Sequence, residues 1–129
     1  MTTEIGQPGK IFNLSEAREL LPLIRSVTKS YRGELEPVQD RLNKMLSNDP
    51  RRTLVEQEFE HLVSRWKDKV EQLGASVYGL WVVEFDVGEG HLIWRYPEHG
   101  INFFRESNTN YTEKIRLSRY IDEFRPSWA

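Results

Sequence analysis

Between residues 12 and 47 the apolar positions fall at Leu14, Ala17, Leu21, Ile24, Thr28, Tyr31, Leu35, Val38, Leu42 and Met45. The steps alternate three and four without a slip, which is the seam of a heptad helix burying one narrow stripe. Only Thr28 is a weak member. Asn13 stands where an N-cap belongs, and Glu16 lies three residues later to complete a capping box. Phe12 is placed to pack on Ala17 as a hydrophobic staple. Pro22 and Pro37 each delete a backbone hydrogen bond, and Gly33 adds local weakness. The heptad phase runs straight through both prolines, so the pattern predicts one kinked helix, or two collinear pieces, rather than a break.

Ser47-Asn48-Asp49-Pro50 is turn chemistry. Asp49 as N-cap and Pro50 at the first helical position predict a second helix with a stripe of Val55, Phe59, Leu62, Trp66, Val70 and Leu73. Gly74 suits its left-handed C-cap. A tight loop makes the two helices antiparallel, with the first turns of the longer one projecting beyond the shorter.

Past residue 76 the period changes. Residues 80–86, 91–96 and 101–105 read as strands, separated by Val87-Gly88-Glu89-Gly90 and Pro97-Glu98-His99-Gly100. Four-residue loops set Phe85 opposite Leu92, Val83 opposite Trp94, Trp81 opposite Tyr96, Tyr96 opposite Ile101 and Trp94 opposite Phe103. All fall on one face, because strand side chains alternate. The other face carries Val82, Glu84, Asp86, His91, Ile93, Arg95, Asn102 and Phe104. Leu117, Tyr120, Ile121 and Phe124 recur at helical spacing before Pro126, predicting a short helix. The expected fold is α+β: a long kinked antiparallel helical hairpin on a small three-stranded antiparallel β-meander, with a short C-terminal helix. One domain spans 1–129, divided into a loose leader at 1–11, the hairpin at 12–73, the meander at 77–105 and a C-terminal segment at 106–129.

Composition narrows the function. A net charge of -2 gives no bulk attraction to nucleic acid or anionic membrane. The absence of cysteine removes disulfides, thiolate nucleophiles and cysteine metal sites. No apolar run approaches the ~20 residues needed to span a bilayer, and the first residues lack the basic and apolar regions of a signal peptide. The expectation is a soluble cytoplasmic protein with no cofactor, no bound metal, no nucleic acid and no membrane as partner.

One cluster carries possible acid–base or metal chemistry: Glu84, Asp86 and His91. Asp86 faces His91 across the first hairpin and Glu84 is diagonal to it. A carboxylate beside an imidazole favours the charged form of the ring and can poise a general base, and one histidine with two carboxylates is a conceivable metal set. A solvated ion pair at a hairpin end is the simpler account and is preferred. Trp94, Arg95, Tyr96, Phe103, Phe104 and Arg105 resemble an RNA-stacking surface in composition, but the strand order of that module is absent, the pairing puts Trp94 and Phe103 on the covered face, and the net charge is acidic. Gly88-Glu89-Gly90 has no helix behind it to make a phosphate loop.

The run Phe12-Asn13-Leu14-Ser15-Glu16-Ala17-Arg18-Glu19-Leu20-Leu21-Pro22 resembles the opening of a bacterial domain-of-unknown-function family catalogued as 2203. Leu92-Ile93-Trp94-Arg95 is similar to its second strand motif, and the resemblance runs roughly from Phe12 to Leu117. The family's closing segment usually has a Trp-His pair, then Gly, then Gly-Arg. Here those places hold Phe104-Arg105, Asn110 and Glu113-Lys114. The resemblance implies the fold and no activity.

Function is expected in a non-enzymatic, self-associating interaction module, a homodimer with a possible further protein partner. The alternative is a small-molecule or metal-dependent enzyme using Glu84, Asp86 and His91. A second apolar set beside the seam, Leu20, Leu23 and Val27, is the expected dimer contact, and Ile93 with Phe104 on the polar sheet face is either covered by the C-terminal segment or a second docking patch.

Overall fold

The computed structural model describes residues 9–129; most of the expected leader, residues 1–8, lies outside the described residues. Helix α1 (Leu14–Lys44) is continuous through Pro22 and Pro37, about 46 Å long at 1.5 Å per residue. Asn13 caps it as expected, its Oδ1 accepting from Glu16 N at 2.7 Å while Glu16 Oε1 accepts from Asn13 N at 2.9 Å. Helix α2 (Arg52–Gln72) starts later than the sequence predicts. Pro50 and Arg51 belong to the turn, where the Asp49 carboxylate accepts from Arg51 N at 2.9 Å. Arg52 then donates to the Leu42 and Met45 carbonyls at 3.1 and 3.3 Å, satisfying the open end of α1. Gly74, at φ 98°, takes the left-handed position that ends α2.

Beyond its first turns the seam meets α2, and its polar member Thr28 explains itself. Thr28 is fully buried, and its hydroxyl accepts from Trp66 Nε1 at 2.9 Å. A threonine stands in a leucine place because the facing indole needs an acceptor.

The sheet has five strands, not three, in the order β1 (Ser76–Gly79), β2 (Val82–Asp86), β3 (Gly90–Arg95), β4 (Phe103–Glu106) and β5 (Ile115–Arg116), all antiparallel. The expected pairs Phe85–Leu92 and Val83–Trp94 are present. Trp81 lies in the turn before β2 with φ 65° rather than in the strand, although Tyr96 N still donates to its carbonyl at 3.0 Å.

The second hairpin is one residue out of the expected register: Ile93 pairs with Phe103 and Leu92 with Phe104. Its loop is longer than four residues and is held by Glu98. The Glu98 carbonyl accepts from Trp94 Nε1 at 2.7 Å, and its carboxylate accepts from Arg95 N at 2.9 Å. A one-residue slip turns every side chain of a strand to the opposite face. Phe104 therefore enters the core, fully buried and stacked on Tyr120 at 3.8 Å between centroids, while Phe103 moves to the other face. The expectation that Ile93 and Phe104 form an open docking patch is corrected: both side chains are buried within the chain. Gly90 lies close against β4, where an added Cβ would fall 2.3 Å from the Arg105 carbonyl.

The core lies between the sheet and the helices. Val83, Phe85, Leu92, Trp94 and Phe104 meet Leu14, Ala17, Leu21 and Ile24 of α1, and Trp66 and Val70 of α2. Helix α3 (Leu117–Phe124) closes the end with Leu117, Tyr120 and Ile121, as the spacing predicts. No residue from 32 to 65 joins this core. There the two helices pack on each other through Leu35, Val38 and Val55, with Arg32 at the near end lying 5.5 Å from the Tyr96 ring, so the distal half of the hairpin is an arm.

Candidate functional site

The polar sheet face brings Glu84, His91 and Arg105 together from β2, β3 and β4. His91 pairs with Asp86 on one side and Arg105 on the other, as neighbours in the ladder. Glu84 pairs with Ile93, which places it diagonal to His91 as expected. Its charge, however, is committed elsewhere. Arg105 grips it with a two-pronged bond, Nη2 to Oε1 at 2.8 Å and Nε to Oε2 at 3.1 Å. The third arm, Nη1, donates to the Thr109 carbonyl at 3.0 Å. The Glu84 side chain is 5% exposed and that of Arg105 15%. The hydrogen bonds to Glu84, ahead of the opposing effect of burial, raise the Arg105 pKa above its ordinary value.

Segment 107–114 roofs this face. Tyr111 stacks on Tyr78 with centroids 4.5 Å apart, and Lys114 lies 4.1 Å from the Tyr111 ring and 5.4 Å from Phe103. Asp86 turns away from chemistry, its Oδ1 accepting from Gly88 N at 2.8 Å to shape the β2–β3 turn. His91 is left with a buried Nδ1 that has no partner among the described residues. Of the three expected site residues, the structure keeps Asp86 and His91 adjacent and locks Glu84 in an ion pair. Among the described residues no group of three or more histidine, aspartate or glutamate side chains is placed to hold a metal ion.

Arg105 is the residue that the sequence reading missed. In the expected register it falls on the covered aromatic face, opposite Leu92. An arginine without a partner on such a face is the signal that the register is wrong.

A second polar knot pins α3 to the β2–β3 turn. Arg125 Nε lies 2.7 Å from the Glu89 carboxylate, which also accepts from the Tyr120 hydroxyl. Burial and the bond to Glu89 push the Tyr120 pKa up to about 12. Burial alone would raise the Glu89 pKa; the hydrogen bonds from Arg125 and Tyr120 outweigh it and hold it below the usual value.

A helical hairpin on a five-stranded antiparallel sheet, with a structural ion pair on the polar sheet face, defines a small α+β module. The family model described as Uncharacterized conserved protein (DUF2203) matches residues 10–117, and the chain belongs to that family. No curated protein and no solved structure matches it. No helix among the described residues is long and apolar enough to cross a membrane.

Proposed function

We propose that this protein is a non-enzymatic interaction module that pairs with a second copy of itself through the flank of α1 bearing Leu20, Leu23 and Val27. The observation that carries the reading is the exposure of this flank. Leu23 is 49% exposed, and Leu20 and Val27 beside it are only partly covered by their own core. Leu46, just past the end of α1, and Leu54 of α2 are 73% and 70% exposed at the tip of the arm, apart from this flank. An exposed leucine flanked by partly covered apolar residues on one helix suits a two-fold helix-to-helix contact, in which the same patch serves both partners. A cytoplasmic setting and a further protein partner on the arm belong to the same proposal.

The alternative, an enzyme using Glu84, Asp86 and His91, needs a free Glu84 carboxylate. Its two-pronged bond to Arg105 weighs against that reading and leaves Asp86 and His91 as the adjacent pair. The test of the interaction reading is Leu23→Asp. It should convert a dimer to a monomer in light scattering, because an unpaired carboxylate at a close-packed contact costs several kcal/mol. A dimer that persists in this variant would move the contact away from α1.

A further inference from the structure

A basic cleft runs along the opposite flank of α1. It has a volume of about 610 Å³ and is lined by Arg18, Leu21, Pro22, Arg25, His99 and Asn102, among others. An adjoining recess of about 260 Å³ shares Arg18 and Asn102 with it and adds Arg116 and Ser118. Arg18 and Arg25 are seven residues apart, so they lie two turns and roughly 10 Å apart on one side of the helix. Leu23 lies about 140° round from Arg18.

Among the described residues no carboxylate lines either space. Glu19 lines a further depression against Ser127 and Trp128, of which Arg18 is also a wall. Among the described residues none of Arg18, Arg25 and Arg116 forms an ion pair, nor do Arg65 and Arg95, whereas Arg32, Arg41, Arg51, Arg52, Arg105, Arg119 and Arg125 all do; Arg116 lies 5.7 Å from the Phe103 ring. Arg25 Nε is moreover buried without a hydrogen-bond partner. A buried donor on a cation, left unpaired, costs stability unless something outside the chain meets it.

The walls thus offer guanidinium forks, an amide at Asn102 and an apolar strip of Leu21, Pro22 and Ile101.

We infer that this cleft binds a small soluble phosphate ester or diphosphate. Arg18 and Arg25 grip the anionic group, Arg116 reaches it from the adjoining recess, and the organic part rests on Leu21, Pro22 and Ile101. Guanidinium forks match phosphate oxygens in pairs. The cleft is of small-molecule size, and the net charge of -2 provides no extended field for a nucleic-acid backbone.

The probe is inorganic pyrophosphate, titrated calorimetrically into the full chain at low salt. Binding is expected to weaken as salt rises and to be accompanied by a higher melting temperature, since a ligand held only by the folded state stabilises it. Arg25→Gln and Arg18→Gln should each weaken binding about tenfold or more, the loss of one charge-assisted contact. Lys67→Gln, on the exposed side of α2, should leave it unchanged. Arg18 is exposed, so its variant stands as a test even if Arg25→Gln fails to fold. No heat and no melting shift at about 5 mM pyrophosphate, where a millimolar site is mostly filled, would overturn the inference. So would binding that survives both arginine changes, or tight binding of a single-stranded oligonucleotide with none of pyrophosphate.

Discussion

Replacing Arg105 with Met leaves the Glu84 carboxylate buried and unpaired on the roofed sheet face. The two side chains are 5% and 15% exposed, so solvent screening does little to soften the change. Breaking a buried pair from one side costs about 3–5 kcal/mol. Against a total stability of roughly 5–15 kcal/mol, the variant should be close to unfolding. For a domain of this size the melting point should fall by roughly 10–20 °C. Glu84→Leu alone should also destabilise, because it strands a guanidinium whose only other bond is to the Thr109 carbonyl. The double variant Glu84→Leu/Arg105→Met should recover most of the loss, since a buried ion pair is often replaced by apolar groups at little cost. Urea titrations of the wild type, both single variants and the double variant, followed by tryptophan fluorescence, close a double-mutant cycle. A coupling energy of about 2 kcal/mol or more is expected. If Arg105→Met costs less than about 1 kcal/mol, the face is wetter than described and the structural role given to this pair is wrong.

Thr28→Val keeps the shape of the seam but strands Trp66 Nε1, and should cost about 1–3 kcal/mol in the same titration; a neutral result would mean that the indole finds another acceptor. Gly90→Ala should destabilise by about 1–3 kcal/mol or more, because a Cβ there meets both the Arg105 carbonyl and the ring of the fully buried Phe104. The Glu89 knot should give acid sensitivity. A carboxyl held below its ordinary value when folded contributes stability that is fully present above its unfolded value, near 4.5, and lost as pH falls through the folded one. Wild type and Glu89→Gln should therefore differ most near neutral pH and converge in acid, and parallel stability curves from pH 6 to 3 would contradict this.

The helical part of the fold was legible because a period of three and four over ten positions admits one interpretation, and because Asn13 and Glu16 fit their capping roles. The β2–β3 register was legible from alternation alone. The next hairpin was not: Phe103 and Phe104 are adjacent aromatics, either of which can face the core, and loop length decided between them. β1 was hidden because its four residues are cut from β2 by a turn that uses Trp81 at positive φ, a conformation a bulky residue rarely takes. β5 is two residues long and exists only because β4 presents it an edge. For the site, the sequence brought Glu84, Asp86 and His91 to one face but could not show that Arg105 arrives there too. That depends on a one-residue shift set by the loop that Glu98 holds.

Self-association is the claim on which the functional reading rests, and sedimentation equilibrium of the wild-type chain across the micromolar range tests it most directly. The account predicts a species of twice 15.3 kDa that dissociates in Leu23→Asp; a 15.3 kDa monomer at every concentration would contradict it.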